Sequence, residues 1–138
     1  MKSKIKLTTY LIFFLVGSLS AQQADDIIGE YHLPNELDVK IYKNNGKYYG
    51  KIIALNGYEQ TKDFKNPDKS KRKDLLIGKV IIKGLEFDKE DKRWINGSMY
   101  GPEKGMLFNL KVTEINNKEI KVVGSKYLFW RTLTWLKI

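Results

Sequence analysis

The chain has 138 residues, of which 42% are hydrophobic and 30% charged, with a formal net charge of +9, one histidine and no cysteine. This length suits one domain. The lack of cysteine excludes disulfides and Cys-His catalysis, and the single histidine excludes zinc sites built from several His ligands. The basic charge predicts either an anionic partner or a β-rich surface kept soluble by lysines, and we favour the second interpretation.

Residues 1–21 follow the order of a secretory signal peptide. A basic start with three lysines leads into the apolar run 10–16 and then into small residues at 17–21. The run is shorter than the about 20 residues that a membrane-spanning helix requires. We therefore predict export to the periplasm or the exterior, with removal of 1–21 and a single domain over 22–138. Export also argues against nucleic acid as a partner.

The rest of the chain alternates apolar and polar residues in short segments that end at turn residues. Val39 and Ile41, for example, alternate with Asp38 and Lys40, and Asn44-Asn45-Gly46 then supplies residues that tolerate the positive φ of a tight hairpin. The predicted strands are 28–33, 37–43, 47–55, 77–85, 94–100, 106–115, 119–125 and 132–138.

Residues 60–76 have no clean periodicity and are predicted to form a long loop with one short helical turn. Asp63, Asn66 and Asp68 bring oxygen ligands close together, but the 12-residue calcium loop and its bidentate Glu are missing. We interpret the three residues as caps of a turn before Pro67. No metal and no cofactor are predicted.

Hairpin connections and the absence of a sustained helical period favour closure of the sheet. An open sheet of these strands would leave an apolar face and two edges bare, whereas a barrel has no edges. The predicted fold is therefore all-β, a small up-and-down antiparallel β-barrel of about eight strands after an N-terminal signal peptide.

Catalytic patterns are weak in this chain. A Ser-His-Asp triad would depend on His32, which lies in a short strand before Pro34. The glycines at 46, 50 and 57 lack the spacing of a phosphate loop, and no pair of carboxylates stands out as a glycosidase pair. The prediction is that the protein is not an enzyme, with an enzyme of unknown type kept as the third hypothesis.

Several segments, in the same order along nearly all of 22–138, resemble the DUF2147 family of bacterial exported proteins. These segments are Gly29-Glu30-Tyr31, Val39-Lys40-Ile41-Tyr42, Asn45-Gly46-Lys47-Tyr48-Tyr49-Gly50-Lys51-Ile52, Asp63-Phe64-Lys65-Asn66-Pro67-Asp68, Leu76-Ile77-Gly78, Asn96-Gly97-Ser98-Met99-Tyr100-Gly101-Pro102, Val123-Gly124 and Arg131-Thr132-Leu133-Thr134-Trp135. The Asp63 to Asp68 element is the most specific of them.

The resemblance implies a lipocalin-like, calycin-type β-barrel. In such folds a Gly-x-Trp tryptophan closes one barrel end against a late arginine, so Tyr31 and Arg131 are expected to meet there by a cation–π contact. The chain departs from the family pattern at Gly101, Phe108 and Trp130, where Asp, Tyr and Gly are usual.

The leading functional hypothesis is that the barrel holds a small apolar or amphipathic ligand, because barrels of about eight strands either fill with side chains or hold one small molecule. Inward glycines at 50, 78, 84 and 124 are expected to bend strands or leave room. The candidate lining residues are Val39, Ile41, Tyr48, Ile52, Val80, Ile82, Phe108, Leu110, Ile120 and Val122.

The alternative is a cell-envelope interaction protein that uses a basic, aromatic outer surface. Its candidates are the loop 62–73 with Tyr49, Tyr58 and Trp94, all expected to be exposed. Neither hypothesis involves stable insertion into a membrane after signal removal, and the sequence leaves the oligomeric state open.

Overall fold

In a computed structural model, residues 22–138 form eight strands that close into one antiparallel barrel, in which each strand pairs with the next and β8 pairs with β1. The predicted signal peptide, 1–21, lies outside the described residues. The strands are β1 (Gly29–His32), β2 (Asp38–Asn44), β3 (Lys47–Ala54), β4 (Val80–Asp88), β5 (Arg93–Gly101), β6 (Met106–Ile115), β7 (Glu119–Lys126) and β8 (Phe129–Lys137). The predicted barrel of about eight strands is confirmed, and its lipocalin-like character is considered below.

Two strands differ from the predicted bounds by more than one residue. β4 begins at Val80 rather than at 77, because Gly78 has a φ of +83° and belongs to a turn that ends the preceding loop. The strand then continues past 85 to Asp88, since Gly84, with a φ of +74°, absorbs an irregularity within it. β8 begins at Phe129 rather than at 132, because it pairs with β7 immediately after the turn at 127–128.

The interior of the barrel is filled by apolar side chains. Trp94 and Trp135 are the largest fully buried ones. The phenols of Tyr31 and Tyr48 are satisfied inside, since Tyr31 Oη donates to the Ile27 carbonyl at 2.8 Å and Tyr48 Oη donates to Asp25 at 2.6 Å. Burial raises the pKa of Tyr31 to about 12. Both phenols thus act as neutral donors, Tyr31 within the core and Tyr48 towards the exposed carboxylate of Asp25.

The N-terminal segment closes one end of the barrel. A one-turn 3-10 helix, Ala24–Ile27, buries Ile27 and accepts a 2.9 Å hydrogen bond from Trp94 Nε1 at the Ala24 carbonyl. The opposite end, here called the loop end, carries the connections 33–37, 55–79, 102–105 and 127–128. Among residues 22–138, no helix has the length and apolar character needed to cross a bilayer.

Inward glycines make room for large side chains of neighbouring strands. A Cβ at Gly50 would lie 2.7 Å from Ile82 Cδ1, and one at Gly124 would lie 3.2 Å from the ring of Phe108. The spaces at Gly50 and Gly124 are therefore occupied. Gly78 and Gly84 do not make room for a neighbouring side chain. Their positive φ values place Gly78 in a turn and Gly84 in a bulge.

Gly97→Ala is expected to destabilise the barrel by about 1–3 kcal/mol, the usual cost of overpacking a core. The added Cβ would lie 2.5 Å from Leu85 Cδ2 and 3.0 Å from the backbone oxygen of Leu110, which cannot move aside cheaply. Urea unfolding measures the effect. Gly29→Ala is the matched control, since its Cβ would meet nothing closer than 3.6 Å, and equal stability of the two variants would contradict the packing argument.

Candidate functional site

The long loop 55–79 packs against the outside of β4 and β5. Ile82 and Met99 face each other across these strands and belong to the core, so their neighbours Ile81 and Tyr100 point outward. Both outward residues are nevertheless buried. The loop thus covers this part of the barrel wall and builds a second layer outside it.

A buried carboxylate attaches the loop to the wall. Asp63 accepts hydrogen bonds from Tyr100 Oη at 2.6 Å and Asn66 Nδ2 at 2.7 Å, and its other partner is Lys79 Nζ at 3.0 Å. Burial alone would raise the pKa of Asp63, but these three donors outweigh it and hold the pKa below its usual value. Burial and the bond to the Asp63 carboxylate raise the pKa of Tyr100. Asp63 is therefore a buried carboxylate anion that is paired with three donors, from Tyr100, Asn66 and Lys79.

The other two loop candidates shape the turn around Asp63. Asn66 Oδ1 accepts a hydrogen bond from the backbone N–H of Asp68, and Asp68 accepts one from the backbone N–H of Ser70, which caps the 3-10 helix Lys69–Lys71. The predicted long loop with one short helical turn is confirmed. Asp63 and Asn66 contact each other, whereas Asp68 points to the surface.

A groove of about 760 Å³ lies between this loop and the outer wall at the loop end. Apolar side chains form its floor, namely Val80, Ile81, Tyr100, Met106 and Leu107. Four lysines, at 71, 79, 83 and 126, line it together with the acidic Asp68 and Asp74. The groove thus combines an apolar surface with an excess of positive charge. A smaller groove of about 270 Å³ adjoins it at Ser98 and Leu107, beside Phe108 and Tyr127.

Most of the predicted lining residues lie in the barrel core. Eight of the ten are buried: Val39, Ile41, Tyr48, Ile52, Ile82, Leu110, Ile120 and Val122. Val80 lines the larger groove and Phe108 the smaller one. Their predicted role in holding a ligand stays a prediction. Sequence reasoning missed Lys83, Ser98 and Leu107, which are outward positions of alternating strands; only the packing of the loop makes them part of a concave surface.

The structure does not bring Tyr31 and Arg131 together. Tyr31 lies opposite Lys137 of β8 and hydrogen-bonds to Ile27, whereas Arg131 lies opposite Gly124 of β7 and is exposed. Along β8, Arg131 and the Lys137 that faces Tyr31 are six positions apart, or about 20 Å. The stagger of the closing strands is the reason, since β1 pairs only with the C-terminal residues of β8.

The aromatic surface expected for the alternative hypothesis also needs correction. Trp94 is fully buried in the core and is not exposed. Tyr49 and Tyr58 are half-buried rather than exposed. One face of the Tyr49 ring is also occupied, because it stacks on Tyr42 with ring centroids 6.1 Å apart. These three aromatic residues therefore do not form one outer patch with the loop 62–73.

His32 bonds to carboxylates through both ring nitrogens. Nδ1 lies 2.6 Å from Asp38 Oδ1, and Nε2 lies 3.5 Å from Glu36 Oε2. The hydrogen bond to Asp38 raises the pKa of His32 above its ordinary value of 6.5. This arrangement favours a protonated surface imidazolium over a general base that faces a hydroxyl nucleophile.

Asp63→Asn is expected to lower the free energy of unfolding by about 3 kcal/mol, because it leaves Lys79 without its closest charge partner. Tyr100→Phe should lower the free energy of unfolding less, by about 1–3 kcal/mol, because it removes only one buried hydrogen bond. The folded pKa of Asp63 is depressed, so its contribution is present above the ordinary value of 3.8 and is lost as the pH falls through the folded pKa.

Denaturant unfolding at neutral pH and at about pH 3 measures both effects, and the deficit of Asp63→Asn should shrink in acid. Asp74→Asn is the matched control, since Asp74 is half exposed and lies 3.7 Å from Lys79. A control that proves as destabilised as Asp63→Asn would rule out a special role for the buried carboxylate.

Titration of His32 by NMR should give a pKa above 6.5, and Asp38→Asn should bring this pKa back towards 6.5. Glu36→Gln should shift it less, because that ion pair is longer and more exposed. A raised folded pKa stabilises the protein below the unfolded pKa, and this stabilisation disappears as the pH rises through the folded value. A wild-type pKa at or below 6.5 would contradict the assignment.

Comparison with known proteins identifies the family of the chain and a solved structure with a similar fold. A family model described as "Uncharacterized protein conserved in bacteria (DUF2147)" matches residues 29–137. Among solved structures, protein HP1028 from the human pathogen Helicobacter pylori, described as belonging to the lipocalin family, is similar with a TM-score of 0.72 and 22% identity. The match covers 80% of this chain and 82% of that chain. At this identity the likeness concerns the fold, and the barrel is therefore lipocalin-like.

No curated protein matches the chain. The family match, by contrast, begins at the first residue of β1 and ends at the last residue of β8, so it spans the whole barrel. This chain belongs to the DUF2147 family.

Proposed function

We propose that this protein is an exported, non-catalytic binding protein that holds a small amphipathic molecule in the groove at the loop end. The observation that carries the proposal is the groove itself, whose volume of about 760 Å³ lies in the usual range for ligand sites. Eight-stranded barrels of the lipocalin type can hold one small ligand, and the likeness of fold supports a binding role in this general sense. Export rests on the signal-like order of residues 1–21.

The lining defines the chemistry of the ligand. Val80, Ile81 and Leu107 offer apolar contact along the floor. Lys79 is already committed to Asp63 and Asp74. Lys71 has no carboxylate within 4 Å among residues 22–138, and the same holds for the lysines at 83 and 126. Lys71 and Lys83 can therefore meet an anionic head while an apolar body lies on the floor, and Lys126, whose Nζ donates to the Leu107 carbonyl at 3.1 Å, adds a third positive charge at the edge of the groove.

The packing of the barrel favours the groove over the barrel centre. Ile52, Ile82 and Ile120 are each fully buried, and the inward glycines 50 and 97 are covered by side chains of neighbouring strands. A ligand at the centre would have to displace these side chains. A ligand in the groove displaces only water, which costs far less.

Titration with a fluorescent fatty acid, cis-parinaric acid, tests the proposal on protein lacking residues 1–21. Wild-type protein should bind the probe saturably. Ser98→Trp should weaken binding at least about tenfold by filling the groove, or about 1.4 kcal/mol. Lys71→Glu should weaken binding of the acid about fivefold and leave the methyl ester of the probe nearly unaffected, because only the acid carries charge.

Matched controls place each change away from the groove. Lys111→Trp puts the same bulk on an exposed position of β6, and Lys40→Glu reverses a charge on β2. Both should bind like the wild type. Retained binding in Ser98→Trp together with lost binding in folded Ile52→Trp would move the ligand to the barrel interior. Absence of saturable binding in the wild type would remove the proposal.

A further inference from the structure

The turn between β7 and β8 exposes four large apolar residues in succession. Tyr127, Leu128, Phe129 and Trp130 have relative exposures of 90%, 86%, 81% and 76%. Large side chains of this kind bury about 150–250 Å² each when covered, so the four leave on the order of 600 Å² of mainly apolar surface in water. This total lies at the upper end of the largest apolar patches of monomeric soluble proteins, about 300–600 Å². We call these four residues the apolar tip.

The composition of the tip is unusual for a hairpin turn. Lys126 pairs with Phe129, so Tyr127 and Leu128 alone form the turn, and Tyr127 has a φ of +55°. A bulky residue is disfavoured in this conformation. The hairpin between β2 and β3 instead uses Asn45-Gly46, which adopts positive φ readily. Folding alone would thus favour a small polar turn, and the large side chains need another explanation.

The side chains of the tip do not share one face. Successive residues of a strand point to opposite sides, so Phe129 and Trp130 project in opposite directions from β8. A flat protein partner could cover only one of these sides. A medium that surrounds the hairpin from all directions would cover both.

Cationic residues flank the tip along the chain and occur in other loops of the same barrel end. Lys126 precedes it, with Nζ 5.8 Å from the ring centroid of Tyr127, and Arg131 follows it in an exposed position. Lys65 and Lys104 lie in neighbouring loops of the same end, where Lys65 Nζ donates to the Glu103 carbonyl. Of the formal +9, three charges come from the lysines at 2, 4 and 6, which leaves +6 on residues 22–138.

We propose that the apolar tip docks the protein onto an anionic bilayer surface. Tyr127, Phe129 and Trp130 would lie among the lipid headgroups, where aromatic residues are favoured, with Leu128 reaching the upper acyl chains. The basic groups at the base of the tip would face anionic headgroups. Each of them would add electrostatic attraction to the surface, and salt would weaken that attraction. The contact is shallow and reversible, and it does not depend on the proposed ligand of the groove.

Tryptophan fluorescence gives a direct test, because Trp130 is exposed while Trp94 and Trp135 are buried. Protein lacking residues 1–21, which retains all eight strands, is mixed with vesicles of 70% phosphatidylcholine and 30% phosphatidylglycerol. The emission of Trp130 should shift to the blue, and lipids brominated near the headgroup should quench it more than lipids brominated deep in the chain. Partitioning should be at least about tenfold stronger than to pure phosphatidylcholine and should fall with added salt.

Variants separate the tip from the rest of the surface. Leu128→Ser should weaken vesicle partitioning about tenfold, whereas Leu136→Ser, an exposed apolar position at the other end of β8, should leave it unchanged. Arg131→Gln should weaken binding to anionic vesicles severalfold, and Lys40→Gln should not. Thermal unfolding of each variant checks that the barrel is intact.

Three results would overturn the proposal. The first is wild-type protein that stays free of anionic vesicles. The second is equal partitioning of Leu128→Ser and Leu136→Ser. The third is a dimer in lipid-free solution that Leu128→Ser dissociates, which would assign the tip to a second copy of the chain.

Discussion

The barrel depends on a fit between inward glycines and the large side chains beside them. Closing eight short strands leaves little internal volume, so at three positions a glycine lies beside a large side chain of the neighbouring strand. Gly50 admits Ile82, Gly97 admits Leu85, and Gly124 admits Phe108. Without cysteine, this packing and the closed hydrogen-bonded sheet must supply the stability that disulfides give to many small exported domains.

A single buried carboxylate, that of Asp63, holds the layer outside the barrel in place. Asp63 binds Tyr100 of β5 and Lys79 next to β4, and the long loop is thereby held against the outer wall. The groove exists only because the loop lies there, since Ile81 and Leu107 would otherwise belong to an ordinary outer face. The rim of Lys126 and Leu107 also connects the groove to the base of the apolar tip.

Much of the barrel follows from local rules. Alternation at Val39 and Ile41 and the turn at Asn45-Gly46 locate β2 and β3 because a half-buried strand and a tight hairpin impose these residue types directly. The burial of Trp94 could not be read in this way. Asn96 has a φ of +61°, and the register of β5 shifts between Trp94 and Gly97, so both residues face inward although simple alternation would separate them.

The site was less accessible to sequence reasoning than the fold. The sequence predicts a turn at the segment from Asp63 to Asp68, which does form one, but Tyr100, the partner of Asp63, is 37 residues away and lies on an outward position. Nothing local in the chain signals such a pairing. The Tyr31–Arg131 contact fails for a related reason, because the stagger between β1 and β8 is a property of the closed sheet as a whole.

The shortness of β1 has a mechanical consequence. β1 pairs with β8 only at Tyr31↔Lys137 and His32↔Leu136, supported by the backbone bond from Ile138 to Glu30, whereas β7 and β8 pair along eight positions. Local opening follows the weakest set of backbone hydrogen bonds. The β1–β8 seam is therefore where the sheet separates at the lowest free-energy cost, and amide protons there exchange ahead of those in β5, β6 and β7. Separation at this seam leaves an open sheet of all eight strands, since β1 stays paired with β2 and β8 with β7, and it exposes the core from one side without global unfolding.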